Sequence, residues 1–124
     1  MTPVVLKAPV NLPSDSLDSI SPVSRPVGEP VSIMRSKVAF HSATDETNVG
    51  VWECSPGRWL RQVAEAEFCT FLSGRCTFTP DGGPAVVLEA GDSIYFHANT
   101  NGEWNVIEPL RKAYVILPGA RSRV

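Results

Sequence analysis

From Val31 onward, turn signals recur every eight to twelve residues, and between them apolar side chains alternate with polar ones. That spacing admits strands and leaves no room for amphipathic helices, which need at least 10–12 residues at a 3.6-residue period. Strands are predicted over 31–40, 49–54, 58–63, 67–73, 75–79, 85–88, 93–96, 103–107 and 111–117. Residues 44–48 form a polar loop, Ser55-Pro56-Gly57 a tight reversal and Pro80-Asp81-Gly82-Gly83 a hairpin turn. Residues 64–68 admit one helical turn, too short to change the class. The expected architecture is an all-β sandwich or barrel.

Residues 1–30 read differently. They hold six of the eleven prolines and show no apolar period, so they form an extended arm ahead of a barrel domain at 31–124. Apolar beads such as Val4-Val5-Leu6 give the arm something to pack with, and a partner subunit is the expected surface.

Composition narrows the function classes. Eleven basic and thirteen acidic residues leave a net charge of −2 with no basic stripe, so nucleic acid is not an expected partner. No apolar run is long enough to cross a membrane as a helix, and the N-terminal residues lack the apolar core of a signal peptide. Cys54, Cys69 and Cys76 are odd in number, lack CxxC spacing and lie in predicted strands. They read as reduced, buried thiols, and the expected location is cytoplasmic.

Two stretches frame the domain. Residues 57–74 run from Gly57-Arg58-Trp59 through Glu67-Phe68-Cys69 to Leu72-Ser73-Gly74. Residues 91–104 run from Gly91-Asp92 through Ser93-Ile94-Tyr95-Phe96 to Trp104. They resemble the paired motifs of the cupin superfamily, small jelly-roll β-barrels. Gly50-Val51-Trp52-Glu53-Cys54-Ser55-Pro56-Gly57-Arg58-Trp59 and Trp104-Asn105-Val106-Ile107-Glu108-Pro109-Leu110-Arg111-Lys112 resemble, more narrowly, single-domain cupins of the ureidoglycine aminohydrolase and ethanolamine-utilisation types. The resemblance covers about residues 45–118. It implies a cupin-type jelly-roll barrel and a homodimer whose subunits pair edge strands and exchange N-terminal segments.

The superfamily pattern also implies four metal ligands, and these can be sought one by one. Glu67 and Gly74 match the end of the first motif, but its histidine positions fall on Arg61 and Val63, or on Leu60 and Gln62 in the alternative register. In the second motif the turn reads His97-Ala98-Asn99, with Asn99 suited to a left-handed conformation. The last histidine position falls on Gly102. One carboxylate does not hold a transition metal, so neither a metal nor a cofactor is expected. His97 and His41 read as solvated, and a mixed site of Glu67, Cys69 and His97 stands as the alternative.

Strand parity puts Arg61 on the face of Glu67, where its planar guanidinium suits a carboxylate of the protein or of a ligand. Trp59, Phe71 and Trp104 are candidates for an apolar wall, and Cys69 shares the parity of Glu67. The candidate ligand-binding set is therefore Arg61, Glu67, Cys69, Trp59, Phe71 and Trp104. Glu65 and Glu67 alternate on one rim and do not form a matched acid–base pair. The leading reading is a small-molecule-binding cupin, without a histidine-based metal site, for a small polar or anionic metabolite. The alternatives are a metal-dependent enzyme with substituted ligands acting on a ureido-type nitrogen compound, and a degenerate barrel serving as a dimerising module.

Overall fold

The computed structural model describes residues 2–118. Eight strands follow in chain order: β1 (Ser19–Pro22), β2 (Ile33–His41), β3 (Asn48–Cys54), β4 (Gly57–Val63), β5 (Ala66–Pro80), β6 (Val86–Glu89), β7 (Ser93–Phe96) and β8 (Thr100–Leu117). No α-helix occurs among the described residues; two short 3-10 turns, Pro9–Asn11 and Ser14–Ser16, lie in the arm. All strand pairs are antiparallel.

Two long strands set the architecture. The first half of β5 pairs with β7 and with the second half of β8, which in turn pairs with β3. The second half of β5 pairs with β6 and with the first half of β8, which pairs with β4. Two sheets result, one ordered β1-β2-β3-β8-β5-β7 and the other β4-β8-β5-β6, and β5 and β8 run through both.

Where the sequence suggested separate strands at 67–73 and 75–79, the chain stays continuous through Gly74. The pairing shifts register there, between Phe71 and Cys76, as β-bulges do when they bend a strand. Gly74 takes φ 87°, and a Cβ at this position would strike the Pro109 carbonyl of the neighbouring strand. The same bend carries β8 past Pro109, joining the strands predicted at 103–107 and 111–117. Residues 64–68 form no helical turn: Ala66 already belongs to β5. The turn at Asn99 takes the expected left-handed conformation, φ 63°.

The core lies between the sheets. Trp104 is fully buried at its centre, with ring centroids of Phe78 at 5.1 Å, Phe96 at 5.8 Å, Trp59 at 6.1 Å and Phe71 at 6.3 Å. Cys54, Cys69 and Cys76 are buried around it as free thiols. At roughly 25 cal/mol per Å² of apolar area, aromatic side chains of this size dominate the stability of a small barrel.

The arm lies against the barrel of its own chain over much of its length. β1 pairs with β2, Pro26 bridges to Trp59, and Leu17 and Val23 are buried. Arg111 anchors the remainder, donating from Nη1 to the Pro9 carbonyl at 3.0 Å and the Val10 carbonyl at 3.3 Å, while Nη2 meets Glu53 Oε1 at 2.6 Å. Proline-rich backbone has few donors of its own, so a buried guanidinium that satisfies several carbonyls suits it well.

Candidate functional site

The open end between the sheets holds a cavity of about 480 Å³. Met34 and Ser36 of β2, Trp52 of β3, Trp59 to Gln62 of β4, Glu67 of β5 and Lys112, Tyr114 and Ile116 of β8 surround it. The arm closes one side with Val23, Ser24 and Arg25, held by backbone bonds from Leu60 N–H to the Arg25 carbonyl at 3.0 Å and from Val27 N–H to the Arg58 carbonyl at 2.8 Å.

Glu67 lies at the floor of this space. Its Oε2 accepts from Lys112 Nζ at 2.8 Å and its Oε1 from Arg61 Nη2 at 3.3 Å. Lys112 also lies over two indole rings, 4.5 Å from the Trp52 centroid and 5.5 Å from that of Trp104. These contacts compensate a buried ammonium by charge and by the negative ring faces. Burial works to raise the Glu67 carboxyl, but Lys112 first and Arg61 second outweigh it, holding the group below the usual carboxylate range. Glu67 is therefore an ionised carboxylate with both oxygens engaged, which leaves it poorly placed as a free general base.

Of the residues singled out in the sequence, Trp59, Arg61 and Glu67 meet at the cavity. Cys69, Phe71 and Trp104 do not line it. They point inward as their parity requires but lie deeper, in the core where the sheets close on Trp104. Lys112 and Tyr114 were missed. Counting by twos back from Ile116 through Tyr114 and on to Leu110 places Lys112 on the inward face, a charge interrupting an apolar alternation.

The donor set does not fit a transition metal. Among the described residues, the only carboxylate lining the cavity is Glu67; it is flanked by two cations, and a further cation brought to it would be repelled by both. Val63 is a buried apolar residue. At Gly102, Phe78 already fills the space, and a Cβ there would press on its ring. Burial pushes the Cys69 thiol up to about 11, away from the thiolate form that binds metals. His41 and His97 are exposed, the latter edge-on to Tyr95 at 5.0 Å, and neither lines the cavity. Among the described residues, no three His, Cys, Asp or Glu side chains come together as a metal-binding group.

Residues 41–114, more than half of the chain, match the model of the EutQ-like cupin domain. The chain belongs to this cupin family. Its two bent sheets are the cupin jelly roll. Among solved structures, this cupin is similar to a Pseudomonas syringae protein of unknown function from the DUF861 family, with 22% identity and a TM-score of 0.68 over 81% of this chain and 45% of that one. The cupin thus spans less than half the length of that relative. It is also similar to a putative ethanolamine utilization protein Q from Salmonella typhimurium, with 15% identity and a TM-score of 0.59 over 72% of this chain and 71% of that one. A Thermotoga maritima DUF861 protein shares 30% identity, with a TM-score of 0.53 over 54% of the cupin and 76% of its own chain. No curated protein matches the cupin. No helix among the described residues is long and apolar enough to cross a membrane.

Proposed function

We propose that this cupin binds a small organic anion in the cavity above Glu67. One observation carries the reading: among the described residues, three cations, Arg25, Arg61 and Lys112, line a cavity whose only carboxylate is Glu67. Lys112 and Glu67 neutralise each other at 2.8 Å, which leaves two guanidinium groups in excess. Arg61 is a quarter exposed and meets Glu67 through one nitrogen at 3.3 Å, so the rest of its planar fork is available for a bidentate contact with a carboxylate. Met34, Trp52, Trp59 and Ile116 supply apolar surface for an organic body, and Ser36, Gln62 and Tyr114 supply hydrogen-bonding groups. An apolar cavity with a few convergent polar groups is the common form of a small-molecule site. The ureido-type alternative needs a metal that these residues do not fit.

Thermal-shift titration with small mono- and dicarboxylates, set against their neutral amides, tests the reading. An acid present at about a hundredfold excess over its Kd should stabilise the protein by roughly 2.7 kcal/mol, a rise in Tm of about 10 °C for a domain of this size. The amide should give no shift, and Arg61→Ala should abolish the effect of the acid. Equal shifts with acid and amide, or no shift with any anion at millimolar concentration, would overturn the proposal.

A further inference from the structure

Of the three cations that line the cavity among the described residues, Arg25 comes from the arm and the other two from the barrel. β4 pairs with β8 along one edge. Its other edge receives the arm: Pro26 bridges to Trp59, the Leu60 N–H donates to the Arg25 carbonyl at 3.0 Å, and the Val27 N–H donates to the Arg58 carbonyl at 2.8 Å. This register sets Ser24 opposite Arg61 and Arg25 opposite Leu60. Side chains alternate along a strand. Arg61 therefore turns inward with the buried Trp59, whereas Arg25 leaves the other side of the ribbon with the exposed Leu60, at the mouth. Just before this contact, β1 pairs with β2, and the Val23 N–H donates to the Ser32 carbonyl at 3.0 Å. The arm thus runs from the edge of one sheet to the edge of the other across the open end.

We propose that the ligand is a dicarboxylate, held by Arg61 inside the cavity and by Arg25 at its mouth. The inference rests on the anion-binding reading above and adds to it the number of charges and their places. Lys112 and Glu67 satisfy each other at 2.8 Å. Arg61 spends one nitrogen on Glu67, at 3.3 Å, and among the described residues Arg25 forms no ion pair. Two planar forks remain, on two separate segments, and each matches one carboxylate. Because the two side chains leave the ribbon on opposite sides, the ligand's carboxylates are separated by a short chain. Met34, Trp52 and Ile116 offer apolar surface to its methylenes.

A ligand held in this way ties the arm to the barrel. Two backbone bonds and the burial of Val23 otherwise hold residues 23–27 in place. Coupling between two events is reciprocal. By whatever factor the docked arm strengthens dicarboxylate binding, the dicarboxylate opposes release of the arm.

Calorimetric titration of the full chain with butyrate against succinate, and with hexanoate against adipate, tests the proposal. At least one dicarboxylate should bind about tenfold tighter than the monocarboxylate of equal length, the scale of one added charge-assisted contact. Arg25→Ala, at an exposed position, should bring that ratio down to about one. Saturating dicarboxylate should also slow amide exchange at Val27 and Leu60 by about tenfold in the wild type, and a monocarboxylate should not. Dicarboxylates that bind no tighter than monocarboxylates, a ratio that survives Arg25→Ala, or exchange at Val27 that ignores the bound dicarboxylate would each overturn this inference and leave the anion reading standing. No binding of any of the four acids at millimolar concentration would overturn both.

Discussion

Lys112 meets Glu67 at 2.8 Å across the floor of the cavity, with side chains only 2% and 3% exposed. Arg61 joins the same carboxylate from a more open position and at a longer distance. The lysine is therefore the partner on which the carboxylate depends.

Substitution should rank the two cations. Lys112→Met leaves Glu67 buried with one distant partner and should cost about 3–5 kcal/mol, the usual range for breaking a buried pair from one side. Arg61→Ala should cost about 1 kcal/mol, because solvent screens a partly exposed pair. The double variant Lys112→Met with Glu67→Leu should recover most of the loss, since it leaves no unpaired charge. Urea unfolding of the three variants measures this order, and equal losses for Lys112→Met and Arg61→Ala would contradict it.

The same pair sets a pH dependence. Glu67 has a folded-state carboxyl below its unfolded value, so its contribution is complete above about pH 4.3 and is lost as pH falls through the folded value. In Lys112→Met, burial prevails and the carboxyl moves above its unfolded value. Its effect then becomes a penalty that grows as pH rises from about 4.3 towards the raised value. The stability gap between wild type and variant should therefore narrow on acidification below about pH 5. Urea midpoints from pH 3 to 8 read this directly, and a gap independent of pH would show that Lys112 acts by packing alone.

The strands were legible in the sequence because period-two alternation survives wherever one face is buried, and Arg61 and Glu67 followed from the same counting. The continuity of β5 and β8 was not legible. Gly74 and Pro109 look like strand breakers locally, and only their close approach across two strands shows that they share one bend. Lys112 escaped because a lysine in a strand ordinarily faces water. Its inward position depends on Glu67 and Trp52, which come from β5 and β3 and lie 45 and 60 residues away. Phe71 and Trp104 were expected beside the cavity because parity gives the face of a side chain and not its depth.

The thiols give a separate check on the core. Burial pushes Cys54 up to about 11 and Cys76 to about 12, so little thiolate exists at neutral pH and little of it is accessible. Reaction with an aromatic disulfide reagent at pH 8 should be slow in the native protein and rapid for all three cysteines in denaturant. Fast modification of one thiol in the folded state would show that the core around Trp104 opens locally.

The shared strands also decide how the protein comes apart. Since β5 and β8 each contribute to both sheets, neither sheet can separate without stripping hydrogen bonds and apolar contacts from the other. Local opening therefore has little choice of scale between fraying at the arm and loss of the whole barrel. The closing pairs join distant points of the chain, Asn48 with Ile116 and Gly57 with Val106, so the cost of forming these loops falls before the contacts that offset it are made. A slow, all-or-none refolding reaction is the kinetic counterpart of two strands bent through one core.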